Sequence, residues 1–230
     1  MALQLVIGNK NYSSWSMRPW VLMKQLGLPF EELKLRFDFA PDSDFRRAVA
    51  RFSPAGQVPI LVDTAEGSFA VWDSLAITEA LHDRFPSAGV WPADAKARAR
   101  ARSIVCEMHA GFAPLRKNCG MNIEADLREV GQRIWAEHAD VRSNLQRIEA
   151  AWTDALAASG GPFLFGAFSA ADAYYAPVCM RILSYALPVT AATQAYVERV
   201  RTAPGVAAWI ADALQEADFI AEDEPHRTHR

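Results

Sequence analysis

The sequence predicts an α/β N-terminal domain with a mixed four-stranded sheet, followed by an all-α C-terminal domain. Short β-rich apolar runs alternate with helical segments over the first 85 residues. A stretch rich in proline, glycine and serine follows, and beyond it apolar residues recur at helical spacing with almost no strand pattern. We therefore expect the 230-residue chain to comprise a first domain at 1–85, a linker at 86–94 and a helical domain at 95–230.

The first domain is predicted to follow the order βαβ, α, ββα. Gly27 and Pro29 end the first helix, because glycine adopts the left-handed conformation at helix ends and proline cannot continue a helix. Glu66 and Gly67 form the turn of a hairpin. The predicted elements are a strand at 3–7, a helix at 16–26, a strand at 32–37, a short helix at 43–51, hairpin strands at 60–62 and 68–71, and a helix at 73–84. This order is typical of a thioredoxin-like domain.

The second domain is predicted to be entirely helical. The patterns indicate helices at 95–116, 123–158, 173–187 and 204–214 and a charged, frayed end at 222–230. Ser169 and Asp172 form a capping-box pattern before the third of these helices, which is apolar enough to be largely buried. We therefore interpret Asp172 as a structural residue rather than a catalytic one.

A serine pair follows the first predicted strand. Ser13 and Ser16 lie three positions apart, which is the spacing of the paired cysteines in a thioredoxin-type redox turn. Serine cannot exchange disulfides, but its hydroxyl can donate a hydrogen bond to a sulfur anion at a helix N-terminus, where free N–H groups also favour negative charge. The simpler interpretation, in which Ser13, Ser14 and Ser16 only cap the helix, stays open at this point.

Two further motifs favour a binding role for this turn. Gln57-Val58-Pro59 precedes a short apolar strand, where an X–Pro bond can be cis and leave the Val58 backbone free to pair with an extended peptide. Asp73 and Ser74 stand at the first turn of the next predicted helix. An acid and a hydroxyl there suit the amino and carboxylate groups of an amino acid, although Asp at this position is ordinarily a helix cap.

With these motifs, the chain resembles the cytosolic glutathione S-transferases, nearest to the serine-type zeta class. The zeta signature Ser-Ser-Cys-Ser, with an arginine two residues later, is similar to the run Ser-Ser-Trp-Ser at 13–16 and to Arg18. A second family signature corresponds to the run at 165–172. The resemblance therefore covers nearly the whole chain.

The resemblance implies roles for the other motifs. It implies that Val58, at the turn with Pro59, pairs with the cysteinyl backbone of glutathione, and that Gln57 adds a contact. It implies that Asp73 and Ser74 hold the γ-glutamyl end. Glutathione would be the co-substrate, with no metal, and a small electrophile would be the second substrate in a detoxification reaction. The family usually forms two-fold dimers, so we expect a homodimer.

Ser13 is the expected hydrogen-bond donor to the thiolate, because it holds the first position of the serine turn. Ser14 is the second candidate. The residues predicted to line an electrophile pocket between the domains are Trp15, Arg18, Met108, Phe112 and Arg116. Two alternatives stay open, namely that the apolar members are ordinary core and that Arg18 forms a surface salt bridge.

Departures from the zeta pattern limit the functional prediction. Trp15 replaces a cysteine, and Ser184 stands where an arginine is expected, with Arg181 about one turn earlier. These differences argue against maleylacetoacetate isomerase activity, which stays an alternative beside a non-catalytic, transferase-like binding or stress protein. A thiol oxidoreductase would need a cysteine near Ser13, and Cys106 belongs to the other domain.

Composition excludes several other classes. A net charge of −3 argues against nucleic acid or an anionic membrane as the main partner. No apolar run reaches the length of a membrane span, and the first residues lack the basic start of a signal peptide, so we expect a cytoplasmic protein. The three cysteines, Cys106, Cys119 and Cys179, lack metal-site spacing and are expected to be buried free thiols.

Overall fold

The computed structural model describes residues 3–65 and 67–230, and its N-terminal part is a four-stranded sheet with three helices. The elements are β1 (Leu3–Ile7), α1 (Ser14–Gln25), β2 (Glu31–Lys34), α2 (Asp44–Ala50), β3 (Ile60–Asp63), β4 (Phe69–Trp72) and α3 (Ser74–Arg84). The strand order is β2-β1-β3-β4, with β1 parallel to β2 and the other neighbours antiparallel. The predicted mixed sheet is confirmed. Met1, Ala2 and the predicted turn residue Glu66 lie outside the described residues.

Seven α-helices follow in the part of the chain that the structure describes. They are α4 (Ala95–Ala110), α5 (Ala113–Asn118), α6 (Arg128–Glu137), α7 (Ala139–Ser159), α8 (Ala170–Ser184), α9 (Ala191–Thr202) and α10 (Pro204–Glu216), with a short 3₁₀ turn at Ala221–Asp223. Helix α1 packs against both α8 and α10, which joins the sheet domain to the helical domain. None of the described helices has the length and apolar content that a membrane span requires.

Helix α8 is the buried centre of the helical domain. Its capping box is confirmed, since Asp172 Oδ2 accepts a hydrogen bond from Ser169 N at 3.0 Å. Asp172 Oδ1 accepts from Leu164 N at 3.0 Å and from Tyr196 Oη at 2.9 Å. Burial raises the pKa of Asp172 to about 6, although these hydrogen bonds oppose the shift. Asp172 therefore joins three segments of the domain from a fully buried position.

The helix predicted at 95–116 is wrong in one respect, because the structure divides it at Gly111 and Phe112. A Cβ atom at Gly111 would lie 2.6 Å from a carbonyl oxygen of the preceding turn. Phe112 adopts the left-handed conformation, with φ of 54°. The helix predicted over 123–158 begins only at Arg128 and is interrupted at His138, where α6 ends and α7 begins.

Three other segments differ from the sequence predictions. Strand β2 ends at Lys34 rather than at residue 37. Helix α9, which the sequence analysis does not assign, begins after Thr190, whose Oγ1 accepts from Thr193 N at 3.3 Å. The frayed end predicted at 222–230 is wrong at Glu224, which is only 5% exposed and accepts hydrogen bonds from Tyr12 and Asn122. These partners come from distant parts of the chain, which periodicity does not reveal.

Candidate functional site

The three sequence motifs meet at one end of the sheet. Val6 pairs with Ile60 across β1 and β3, and Ile60 pairs with Trp72 across β3 and β4. The carboxyl ends of β1 and β4 and the amino end of β3 therefore lie side by side. These ends adjoin the serine turn at 13–16, the turn at 58–59 and the turn at 73–74.

The serine turn is tied to the end of β1 by hydrogen bonds. Ser13 is the N-cap of α1, and its Oγ accepts a long hydrogen bond of 3.4 Å from Ser16 N. The Ser13 hydroxyl donates to Ser16 Oγ at 2.7 Å. Ser16 Oγ in turn accepts from Gly8 N at 3.2 Å. The Ser13 hydroxyl thus lies at the positive end of α1, in a position set by its neighbours.

Ser14 differs from Ser13 in having a free hydroxyl. It is the first residue of α1, and its backbone N donates to Tyr12 O at 2.8 Å. Its side chain makes no hydrogen bond to any residue that the structure describes. The structure therefore brings two hydroxyls to the same helix start, with Ser13 held inside the turn and Ser14 unpaired.

The second motif presents an unpaired stretch of backbone. The Val58–Pro59 bond is cis, Gln57 is exposed and Val58 is half-buried. Within residues 3–65 and 67–230, the backbone N–H and C=O of Val58 make no hydrogen bond. Since β3 begins only at Ile60, Val58 lies just before the strand and can pair with an extended peptide.

The third motif has an unusual backbone. Asp73 caps α3 with φ of 71°, a left-handed value that Asp adopts more readily than most residues. Its Oδ1 accepts from Leu75 N at 2.8 Å, which leaves Oδ2 for other partners. Ser74 is 1% exposed, and its Oγ has no hydrogen-bond partner among the described residues. Unpaired polar groups and strained backbone in one turn are typical of a binding site.

His109, from α4 of the helical domain, contacts this turn and is absent from the sequence predictions. Its Nε2 lies 3.2 Å from Asp73 Oδ2, and its ring meets Trp15 edge-on at 5.2 Å between centroids. Burial lowers the pKa of His109, and Asp73 opposes this shift only in part. The imidazole is therefore neutral at neutral pH and donates from Nε2 to Asp73. A single histidine in a helix gives no sequence signal for such a contact.

Arg18 lies beneath the site as an unpaired buried cation. It has no exposed surface, and none of its three guanidinium nitrogens has a hydrogen-bond partner among the described residues. The guanidinium lies 4.0 Å from the ring centroid of Trp15 and 5.0 Å from that of Tyr174. Burial lowers the pKa of Arg18 to about 9, so it remains charged at neutral pH. The alternative of a surface salt bridge is wrong.

The other predicted pocket residues divide into two groups. Trp15 and Arg116 are half-buried, with the Arg116 guanidinium 5.6 Å from the Trp15 ring centroid. Met108 has no exposed surface and Phe112 is 8% exposed, and both belong to the hydrophobic core. The prediction that Met108 lines the electrophile pocket is therefore wrong. Met108 instead belongs to the ordinary hydrophobic core, which is the alternative interpretation.

The three cysteines are all free thiols. Cys119 and Cys179 are buried free thiols, whereas Cys106 is exposed, contrary to the prediction for that residue. Arg181 Nε donates to Cys119 O at 2.7 Å inside the helical domain. Across residues 3–65 and 67–230, no group of three or more His, Cys, Asp or Glu side chains is arranged to hold a metal ion.

Comparison with known structures gives the same fold over nearly the whole chain. A glutathione transferase homologue from Burkholderia strain BGR1, solved with bound glutathione, has a TM-score of 0.68 at 23% identity, covering 95% of this chain and all of the other. Glutathione transferase Omega 3C from Trametes versicolor has a TM-score of 0.65 at 21% identity, covering 93% and 91%. At these identities the likeness shows the fold.

One curated relative matches over a shorter stretch. A dichloromethane dehalogenase from Methylorubrum extorquens is 39% identical over 71 residues, which are 30% of this chain and 23% of the relative. The matched part of the chain thus spans less than a quarter of the relative's length.

Family models match both domains. The model of the glutathione S-transferase N-terminal domain matches residues 12–84, which include the serine turn and the Val58 and Asp73 turns. The model of the glutathione S-transferase C-terminal domain matches residues 109–212. The two models together cover more than half of the chain, and the chain therefore belongs to the glutathione S-transferase superfamily.

Proposed function

We propose that this protein is a serine-type glutathione transferase that ionises the glutathione thiol for attack on a small electrophile. The convergence of the three motifs on one end of the sheet carries this proposal. A tripeptide bound across them has its thiol at the serine turn, its backbone at Val58 and its γ-glutamyl end at Asp73. The electrophile then approaches from the helical domain.

The serine turn can supply the stabilisation that the thiolate needs. A thiol has a pKa of about 8.5, and lowering it by roughly 2 units requires about 2.7 kcal/mol. A hydrogen bond to a charged group contributes about 1.5–3 kcal/mol, and the helix N-terminus adds about 0.3–1 kcal/mol. On binding, the Ser13 hydroxyl turns from the neutral Ser16 Oγ to the sulfur anion, which is the stronger acceptor.

Recognition of the tripeptide is assigned to the other two turns. The free N–H and C=O of Val58 pair with the cysteinyl residue, Pro59 sets the turn and the exposed Gln57 adds a contact. The Asp73 carboxylate attracts the α-amino group of the γ-glutamyl end, and the Ser74 hydroxyl donates to its carboxylate. His109 carries no net charge, so it orients Asp73 without neutralising it.

We assign glutathione to the first domain, 1–85, and the electrophile to the face that the helical domain, 95–230, presents across the linker at 86–94. Arg116 of the helical domain lies 5.6 Å from the ring centroid of Trp15 in α1, which places a cation beside an apolar ring where the two domains meet. The dehalogenase relative acts, by its name, on dichloromethane, a small electrophilic halide. This favours substitution at carbon as the reaction class.

Isomerase activity is the weaker alternative. Arg181, one turn from the position where the zeta pattern has an arginine, is buried, and its Nε donates to the backbone oxygen of Cys119. This favours transfer over isomerisation of an anionic substrate. A non-catalytic binding protein is the other alternative, and it differs in leaving bound glutathione as a neutral thiol.

Glutathione binding tests the assignment of Asp73. Asp73→Asn keeps the cap oxygen and tolerates the left-handed backbone, but removes the charge that faces the α-amino group. Because Asp73 is half exposed, we expect the Kd for glutathione, measured by calorimetry, to rise about tenfold, with kcat within about twofold of wild type.

The matched control is Asp94→Asn, which changes another capping aspartate, at the start of α4. It should leave glutathione affinity unchanged. Equal losses of affinity and kcat in Asp73→Asn would count against its role at the γ-glutamyl end. A wild-type protein that binds no glutathione at millimolar concentration would remove the transferase proposal.

We further propose a homodimer whose interface includes the edge strand β4. Phe69 is 62% exposed and Trp72 is 44% exposed on this strand, which has a partner on one side only. Exposed apolar side chains on a sheet edge favour contact with another copy. We expect a dimer mass in sedimentation at micromolar concentration, shifted towards monomer by Phe69→Glu. Leu214→Glu, at an exposed site on α10, should remain dimeric, and a monomeric wild type would contradict the proposal.

A further inference from the structure

The loop at 8–12 leads directly into the serine turn, and a distant part of the chain satisfies its polar groups. We call residues 212–224 the C-terminal latch. Glu216 Oε1 accepts from Lys10 N at 2.8 Å, and its Oε2 accepts from Asn11 N at 3.3 Å. The Glu216 side chain is only 4% exposed. One buried carboxylate therefore holds two consecutive backbone N–H groups just before Ser13.

A second latch carboxylate holds Tyr12, the residue adjacent to Ser13. Tyr12 Oη donates to Glu224 Oε1 at 2.7 Å, and Asn122 Nδ2 donates to the same oxygen at 2.9 Å. The Glu224 side chain is 2% exposed and also pairs with Arg227. The three partners of Glu224 come from separate segments of the chain, so the carboxylate has a fixed position. It therefore fixes both the direction and the distance of the hydrogen bond from the Tyr12 hydroxyl.

Two further latch carboxylates contact the loop. Asn9 Nδ2 donates to Asp218 Oδ2 at 3.0 Å, and Lys10 Nζ pairs with Asp212 Oδ2 at 2.5 Å. The four latch carboxylates that contact the loop each have a cationic partner, with Lys34 at Glu216, Arg36 at Asp218, Arg227 at Glu224 and Lys10 at Asp212. The carboxylates that hold the loop are therefore compensated by neighbouring cations.

We propose that Glu216 and Glu224 are positioning residues, which hold the loop at 8–12 so that the Ser13 hydroxyl and the start of α1 face the glutathione sulfur. This proposal rests on the proposed function. A hydrogen bond weakens steeply as its angle departs from linear, so a small rotation of the serine turn costs thiolate stabilisation. Among the described residues, the latch makes no hydrogen bond to Val58 or Asp73, so glutathione affinity is independent of it.

Two variants test the latch with little change of shape. Tyr12→Phe removes one hydroxyl and keeps the ring in its apolar cluster. Glu216→Gln keeps one acceptor oxygen and removes the other. In each variant we expect a higher pKa of the bound glutathione thiol, read from thiolate ultraviolet absorbance, and about fivefold lower kcat at neutral pH. The KM for glutathione should stay within about twofold, and kcat should recover as pH rises.

The control is Arg201→Ala, because Arg201 pairs with Glu198 at 2.5 Å within α9 and makes no ion pair with the loop or the latch among the described residues. It should match wild type in thiol pKa and kcat. A purely structural latch would lower thermal stability in Tyr12→Phe and Glu216→Gln while leaving the thiol pKa unchanged, and that result would overturn the proposal.

Amide hydrogen exchange separates failure of the latch from failure of the proposed function. The N–H groups of Lys10 and Asn11 should exchange slowly in the wild type and faster in Glu216→Gln. Unchanged exchange in that variant would overturn the latch whatever the chemistry. A wild type that binds glutathione as a neutral thiol, with these amides still protected by Glu216, would instead defeat the proposed function.

Discussion

Ser13→Ala should raise the pKa of bound glutathione and lower turnover at neutral pH with a general electrophile such as a chlorinated nitrobenzene. The loss of a hydrogen bond of about 1.5–3 kcal/mol to the thiolate predicts a fall in rate of roughly tenfold to hundredfold. Glutathione affinity should change little, because the proposed binding mode assigns the rest of the tripeptide to Val58 and Asp73. The rate should partly recover with rising pH, as the thiol ionises unaided.

Two controls make this result specific. Ser13 is also the N-cap of α1, so Ser13→Ala removes a helix cap as well as the proposed donor. Ser43→Ala removes a similar cap from α2, and it therefore measures the loss of stability that capping alone accounts for. Ser14→Ala should have the smaller effect on rate. A silent Ser13→Ala with a severe Ser14→Ala would transfer the donor role to the unpaired hydroxyl. If both are silent, the thiolate is held by backbone N–H groups or by the field of Arg18.

Asp172→Ala should produce the largest loss of stability. It leaves Leu164 N–H, Ser169 N–H and the Tyr196 hydroxyl without their buried acceptor. We expect the free energy of unfolding to fall by about 3 kcal/mol, measured by denaturant titration. Asp154→Ala, at an exposed position on α7, should change it by less than about 0.5 kcal/mol.

The pH dependence of this loss has a defined sign. Because burial raises the pKa of Asp172 to about 6, above its ordinary value, folding favours the protonated carboxyl. Its contribution to stability is complete below about pH 4 and decreases as the pH rises through about 6. The difference in the free energy of unfolding between wild type and Asp172→Ala should therefore become smaller as the pH rises. If this difference becomes larger instead, the ionised carboxylate is the stabilising form.

Local patterns predicted much of the fold. Strand β1, helices α1 and α3, the hairpin strands and the capping box of α8 follow from periodicity and from capping residues, which act within a few positions of one another. The break in the helix at Gly111 and Phe112 does not follow from these patterns, because the apolar spacing continues across it. Its cause is the backbone conformation of two residues, to which hydrophobic periodicity is insensitive.

The site was only partly predictable, for a different reason. The three motifs are readable because each has its own local sequence pattern. No local pattern reveals His109 or the latch carboxylates Glu216 and Glu224. Each of them contacts a residue between about 35 and more than 200 positions away in the sequence. Charged residues near a chain end are usually solvated, and only tertiary packing shows that Glu216 and Glu224 are buried.

The sequence by itself determined the α/β and all-α architecture and the identity of the three turns, because helix periodicity, caps and X–Pro turns depend on neighbouring residues. Tertiary structure alone decided where these turns meet, since the register of Val6, Ile60 and Trp72 sets the common edge of the sheet. It also decided that Arg18 is a buried cation and that the C-terminal segment is hydrogen-bonded to the loop at 8–12. Burial and long-range hydrogen bonding are properties of the packed chain, because removing a group from water requires partners from several distant segments.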